Sequence, residues 1–253
     1  MLRVCANLSM LFTERPMMER FAAAAQAGFE AVEIHDPAEA DEAPIAAALS
    51  RHGLALASIT CPPADGADPS SLQASAALPG AEARFRTDWT RACRSARALG
   101  AERMHLVAGV GEGPEAGETF ARNVAWAASQ DPAVQLTIEP VCGDDLPGAF
   151  LDDYSVALAV LEDVAAPNLS LRFDTYHAHR MTGDVIGTWA AVRAHVGHVQ
   201  IAHHHGRQEP GRGEIDFPAF LARLDMDGYA GWVCAEYVPS GEPAASLGWR
   251  GES

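Results

Sequence analysis

The chain is 253 residues long, 48% hydrophobic, with a formal net charge of −16 and 18 basic residues, all of them arginine. This size and apolar share fit a soluble folded protein and not a disordered one, and no apolar run reaches the roughly 20 residues of a membrane helix. Without lysine, Schiff-base and pyridoxal-phosphate chemistry and a Walker A phosphate loop are excluded, and the negative charge repels a nucleic-acid backbone.

The N-terminal stretch MLRVCANLSMLFTERP has no charged segment followed by a long apolar one and a small-residue cleavage site. No signal peptide is therefore expected, and the expected location is cytoplasmic. Five scattered cysteines without a C-x-x-C pair agree with a reducing compartment and with no structural zinc site.

Short apolar runs then alternate with longer helical patterns along the chain. Candidate strands are 3–7, 31–34, 55–59 and 103–107 in the first half, and 134–138, 169–173, 197–201 and 231–235 in the second. Helix signals separate them: Met17 to Ala27 stops at Gly28, Glu82 to Leu99 stops at Gly100, and Asp152 to Val164 is closed by Pro167. Eight strand and helix units predict an α/β fold, a single (β/α)₈ TIM barrel over residues 1–253. An open dinucleotide-binding sheet is disfavoured because no G-x-G-x-x-G follows the first strand. Two long loops, Cys61 to Gly80 and His203 to Pro218, fall after the third and seventh strands, at the end of a barrel where active sites sit.

The polar residues at the ends of the last four strands carry the chemistry. Glu139 closes LTIEP, Asp174 closes LRFD, Gln200 lies in HVQIA and Glu236 closes VCAE. On a barrel these ends are neighbours, so three carboxylates and an amide converge. Close carboxylates repel unless a cation or a proton lies between them. Oxygen donors favour Mg²⁺ or Mn²⁺, with Zn²⁺ or Co²⁺ also compatible.

Longer motifs extend over nearly the whole chain: ANLSMLFTERP, AALPGAEARFR, IEPV with DLPGAF, APNLSLRFDTYHAHRMTGD, GHVQIA joined to GRQEPGRGEIDFP, GYAGWVCAEYVPSG and LGW. Through them the chain resembles the hydroxypyruvate isomerase family, within the xylose-isomerase-like TIM barrel superfamily of sugar isomerases and epimerases. The resemblance implies a metal-dependent isomerase interconverting hydroxypyruvate and 2-hydroxy-3-oxopropanoate. It carries the metal-ligand role onto Glu139, Asp174, Gln200 and Glu236, a substrate contact onto His177, and carboxylate recognition onto Arg207, whose planar fork binds bidentately.

Moving a carbonyl to the adjacent carbon requires taking a proton from the hydroxyl-bearing carbon and returning one to its neighbour. A divalent ion stabilises the enediolate between the two steps, and Glu139 and Glu236 are the catalytic proton carriers. A metal-assisted hydride shift would leave both as ligands alone.

Three positions depart from the family pattern: Cys142 stands where asparagine is expected, His203 where aspartate is, and Val238 where lysine is. His203 is expected to face substrate. Losing a lysine near an acid substrate favours a related sugar acid or a neutral sugar over hydroxypyruvate itself. His105 and His198 are read as buried histidines bonded to backbone, His35 as a candidate for the rim, and Trp249 as a residue that closes over the site.

The three histidines of QIAHHHGRQEP are not read as the primary metal site, because adjacent side chains of an extended segment point to opposite faces. Competing functions are a sugar 3-epimerase or 2-oxo-acid sugar isomerase, a non-catalytic sugar-acid binding protein, and a DNA-repair endonuclease. The last needs more histidine ligands and a basic groove. Expected partners are a small hydroxy-oxo acid or sugar and no nucleic acid or membrane, with a homo-oligomer left open.

Overall fold

The computed structural model describes residues 2–37, 41–61, 74–243 and 245–250. Eight parallel strands close into a barrel in chain order: β1 (Arg3–Asn7), β2 (Ala31–Ile34), β3 (Ala55–Cys61), β4 (Arg103–Leu106), β5 (Gln135–Ile138), β6 (Leu169–Asp174), β7 (Val196–Ile201) and β8 (Trp232–Ala235). The helices are α1 (Met17–Gln26), α2 (Glu42–His52), α3 (Glu82–Leu99), α4 (Gly113–Gln130), α5 (Tyr154–Val164), α6 (Thr175–Thr182), α7 (Val185–Val192) and α8 (Phe217–Met226). The predicted barrel is the observed one. Most of the long loop expected after the third strand, residues 62–73, lies outside the described residues.

Helix ends follow local chemistry. Gly100 caps α3 in the left-handed region, as the sequence predicts. The fifth helix starts at Tyr154 and not at the predicted Asp152, because Asp153 is its N-cap and accepts the Ser155 N–H at 2.6 Å.

Strand alternation divides the barrel into two environments. One set of positions, including Val32, Ile34, Leu171, Phe173, Val199 and Ile201, belongs to the large apolar cluster shared with the helices. Its centre is aromatic, with Phe173 at 5.6 Å from Trp189 and 5.8 Å from Phe220. The alternate positions turn inward. At the base these are the small cluster Cys5, Ala31, Ala57, Cys234 and Trp232, and all five cysteines are buried and free.

Above that base the barrel interior becomes polar, where layers of branched apolar residues are the norm. Two register shifts assemble this layer: β3 skips a residue so that Ser58 pairs with Glu33, and β7 skips one so that His198 pairs with Arg172. In β7 the skipped residue is Gly197, where a Cβ would lie 2.3 Å from Ser170 Oγ. No helix among the described residues is long and apolar enough to cross a membrane.

Candidate active site

At the C-terminal end of the barrel a cavity of ≈ 90 Å³ is lined by Glu139, Glu236, His177, Arg207, Arg172, His35, His105 and Thr60. Val107, Val141, Leu146, Ala149 and Leu151 make its apolar wall. This is small beside the roughly 300–1,000 Å³ of drug-sized ligand sites.

Asp174 and Glu236 are each held by hydrogen-bonded partners. Asp174 ends β6 and caps α6: its Oδ1 accepts the Tyr176 N–H at 2.9 Å, and Oδ2 accepts from Arg207 at 2.9 Å. Glu236, just past β8, accepts from Asn7 Nδ2 at 3.0 Å, lies 2.7 Å from His35 Nε2, and accepts from Arg207 at 2.5 Å. One guanidinium nitrogen thus bridges two of the predicted ligands. Arg207 itself sits in the left-handed region at φ 50, an uncommon conformation for a residue with a side chain. Its carbonyl accepts the Val238 N–H at 2.9 Å, and its guanidinium lies 5.0 Å from the Tyr176 ring centroid.

His177 is buried, and its Nδ1 accepts the Cys142 backbone N–H at 3.0 Å. Burial lowers its pKa to about 3, so the ring is neutral. Its Nε2 is therefore a hydrogen-bond donor to whatever occupies the cavity, 4.0 Å from Asp174 Oδ2. Glu139 carries a buried Oε1 without a partner, and His105 Nε2 lies 3.6 Å from its other oxygen.

Electrostatics separates the carboxylates. Burial drives Glu139 well above the usual range, reinforced by Asp174 and Glu236, and raises Asp174 to about 7. Burial would raise Glu236 too, but Arg207, His35 and Arg172 outweigh it and hold this group ionised. Two carboxyl groups on one cavity are therefore shifted in opposite directions, Glu139 upward by burial and Glu236 downward by its cationic neighbours.

The predicted cation donors can be tested against this arrangement. Glu139, Asp174 and His177 place ligand atoms within 4.8 Å of one another. Gln200, paired with Asp174 in register, donates Nε2 to Glu33 at 2.6 Å, which fixes its amide and leaves its buried Oε1 without a partner. Two orphaned buried oxygens, on Glu139 and Gln200, beside the carboxylates of Asp174 and Glu236 fit a hard divalent cation.

Not every expected site residue reaches the cavity. His203 lies in the loop after β7, its ring 6.1 Å from Phe217, and does not line the cavity. Cys142 is also outside it, and it holds His177 through its backbone, which an asparagine would do equally. Val238 is 51% exposed and does not line the cavity. Trp249 bonds Tyr237 Oη at 3.1 Å and does not close over the site. His105 bonds the Thr137 carbonyl at 3.2 Å as expected, yet it also lines the cavity. His198 is buried as predicted, but its partner is the Glu33 carboxylate at 2.6 Å and not the backbone.

The layer beneath the site was not foreseen. Glu33 is fully buried and accepts from Asn7, Gln200 and His198, with Arg172 at 3.7 Å, while Arg172 donates to Ser58 Oγ at 2.7 Å. A period-2 rule finds these residues: Arg172 lies two before Asp174, His198 two before Gln200, and Glu33 two before His35.

Comparison with known proteins agrees with this fold. Residues 21–250 match the model of the xylose isomerase-like TIM barrel family. The chain is 38% identical to a 2-oxo-tetronate isomerase of Cupriavidus necator, over 98% of this chain and 96% of that one. It is 35% identical to the hydroxypyruvate isomerase of Escherichia coli over 98% of each chain. A crystal structure from Brucella melitensis, described as AP endonuclease, family 2, superposes with a TM-score of 0.92 at 34% identity, covering 98% of each chain. The chain belongs to the xylose isomerase-like TIM barrel family, within it to the hydroxypyruvate isomerase group, and it is an isomerase.

Proposed function

We propose that this isomerase is metal-dependent and interconverts the aldose and ketose forms of a three- or four-carbon hydroxy-oxo acid, hydroxypyruvate first among them. The observation that carries the reading is the small cavity on which Glu139 and Glu236, with pKa values shifted in opposite directions, meet beside the guanidinium groups of Arg172 and Arg207. In a chain of net charge −16, arginines at the cavity wall are the groups able to receive a carboxylate. Arg207 is the nearer to solvent, and its fork suits a bidentate pair.

A divalent cation held by Glu139, Asp174, Gln200 and Glu236 would polarise the carbonyl and acidify the adjacent C–H. One glutamate then takes the proton from the hydroxyl-bearing carbon and the other returns one to its neighbour. His177, neutral and fixed by the Cys142 N–H, offers a donor to a substrate oxygen. The apolar wall limits water at the reacting carbons.

A four-carbon 2-oxo acid is the second reading, favoured by the similarity to the Cupriavidus necator enzyme. A nuclease reading is weakened by the net charge, which repels a phosphate backbone. The test is incubation with short oxo acids and ketoses in deuterated water, with Mn²⁺ or Mg²⁺. Deuterium should enter a three- or four-carbon acid as its carbonyl moves to the adjacent carbon, giving the aldehyde product. Exchange with inversion at C3 of a ketose and no movement of the carbonyl would replace this reading.

The carboxylates also predict a pH dependence. Asp174, at about 7, holds a proton below neutrality, and Glu139 is shifted upward in the same direction, so a cation must displace protons to bind. Apparent Mn²⁺ affinity should therefore fall as pH drops below 7, by about tenfold per pH unit for each proton displaced. Calorimetry in buffers of different ionisation enthalpy measures this release, and an affinity independent of pH between 5 and 7 would contradict it.

A further inference from the structure

The histidine run 203–205 and the helix leaving β6 meet on the outer side of the rim. α6 carries His177 into the cavity, and His179, about 200° further round the helix, faces the loop between β7 and α8. There the His179 and His204 rings lie 4.3 Å apart, tilted by 35°. Glu214, from the far end of the same loop, places Oε2 2.5 Å from His204 Nε2 and 4.0 Å from His179 Nε2. Ligand atoms of all three residues lie within 4.8 Å of one another.

His204 Nδ1 is buried with no hydrogen-bond partner, and the His203 ring flanks His204 at 4.7 Å. Two imidazoles side by side converge on one carboxylate oxygen, the arrangement a shared cation would occupy.

We propose that His179, His204 and Glu214 form a second cation site, distinct from the carboxylate cluster in the barrel. Two imidazole nitrogens and one carboxylate oxygen, with solvent in the fourth position, make a tetrahedral set for Zn²⁺ or Co²⁺. Its nitrogen donors select these ions over Mg²⁺, the reverse of the oxygen-only preference inside the barrel. Its occupant clamps the β7–α8 loop onto α6. His204 precedes Arg207 by three residues and His179 follows His177 by two, so this clamp fixes the two segments that carry the substrate contacts. His205 takes no part beyond donating its N–H to His203 Nδ1 at 3.1 Å.

The test uses the full chain without a polyhistidine tag, stripped of metal, in excess Mg²⁺ to fill the oxygen-donor cluster, titrated with Co²⁺. The wild type should take up one Co²⁺ per chain with the intense visible absorption of tetrahedral cobalt. His179→Gln and His204→Gln should each lose that absorption and bind at least tenfold more weakly. Glu214→Gln, at a largely exposed position where folding is not at risk, should weaken binding in the same direction. Asp174→Asn should keep the absorption, which separates this site from the one in the barrel. A wild type without the tetrahedral band, or a band unchanged in all three of the His179, His204 and Glu214 variants, would overturn the proposal.

Discussion

A Glu139→Gln enzyme is expected to isomerise its acid about 10³-fold more slowly than the parent at saturating Mn²⁺, and to incorporate no solvent deuterium. The substitution keeps the shape of the side chain and removes its ability to carry a proton. Burial disfavours the charged form of Glu139 without a cation, so the neutral amide is not expected to strand a charge there. The cation-free variant should thus melt within about a degree of the parent, since a surface-like loss of less than about 0.5 kcal/mol moves the midpoint little. Turnover and melting temperature together separate a chemical role from a structural one. Unchanged turnover would remove Glu139 from the reaction.

The largest effect on stability is expected one layer lower. Glu33→Gln leaves the buried Arg172 guanidinium without its nearest anion inside the barrel and should cost about 3 kcal/mol or more, read as a lower urea midpoint. Burial opposes ionisation of Glu33, but Arg172 and His198 hold it below the usual carboxylate range, so the charge is present at neutral pH. The same glutamate fixes the amide of Gln200, so Mn²⁺ affinity should fall along with stability. Pairing the change with Arg172→Met removes the stranded charge and should recover part of the lost stability. If Glu33→Gln were as stable as the parent, the buried pair would not be holding the layer together.

The fold was legible because its signals are local. Short apolar runs alternate with helical patterns, and glycines such as Gly28 and Gly100 stop helices by a backbone preference that needs no partner. The four rim residues Glu139, Asp174, Gln200 and Glu236 were legible for a related reason. A carboxylate or amide ending an apolar strand is anomalous in its own segment, and a closed barrel makes consecutive strand ends neighbours.

What the sequence could not place depends on contacts between distant segments. Glu33 and Arg172 sit on strands far apart in the chain, and two single-residue register shifts bring them into one layer. Nothing in EAVEIHDP or LSLRFDTYH marks such a shift, because it is set by how neighbouring strands pack. His203 was expected at the substrate for its position after QIA, but the chain turns there, and His203 lies against Phe217. The loop instead returns Arg207 to the rim, between Asp174 and Glu236.

The sequence by itself determined the barrel, the acids on its rim and the arginine-only cationic set available for an acid substrate. The tertiary structure decided which of those groups share a cavity and which are ionised. The physical reason is that helix and strand signals are local or periodic, whereas a shared cavity and a pKa depend on burial and on charges brought from remote strands. Depth in the barrel raises the pKa of Glu139, and the Arg207 guanidinium, brought from the loop after β7, lowers that of Glu236.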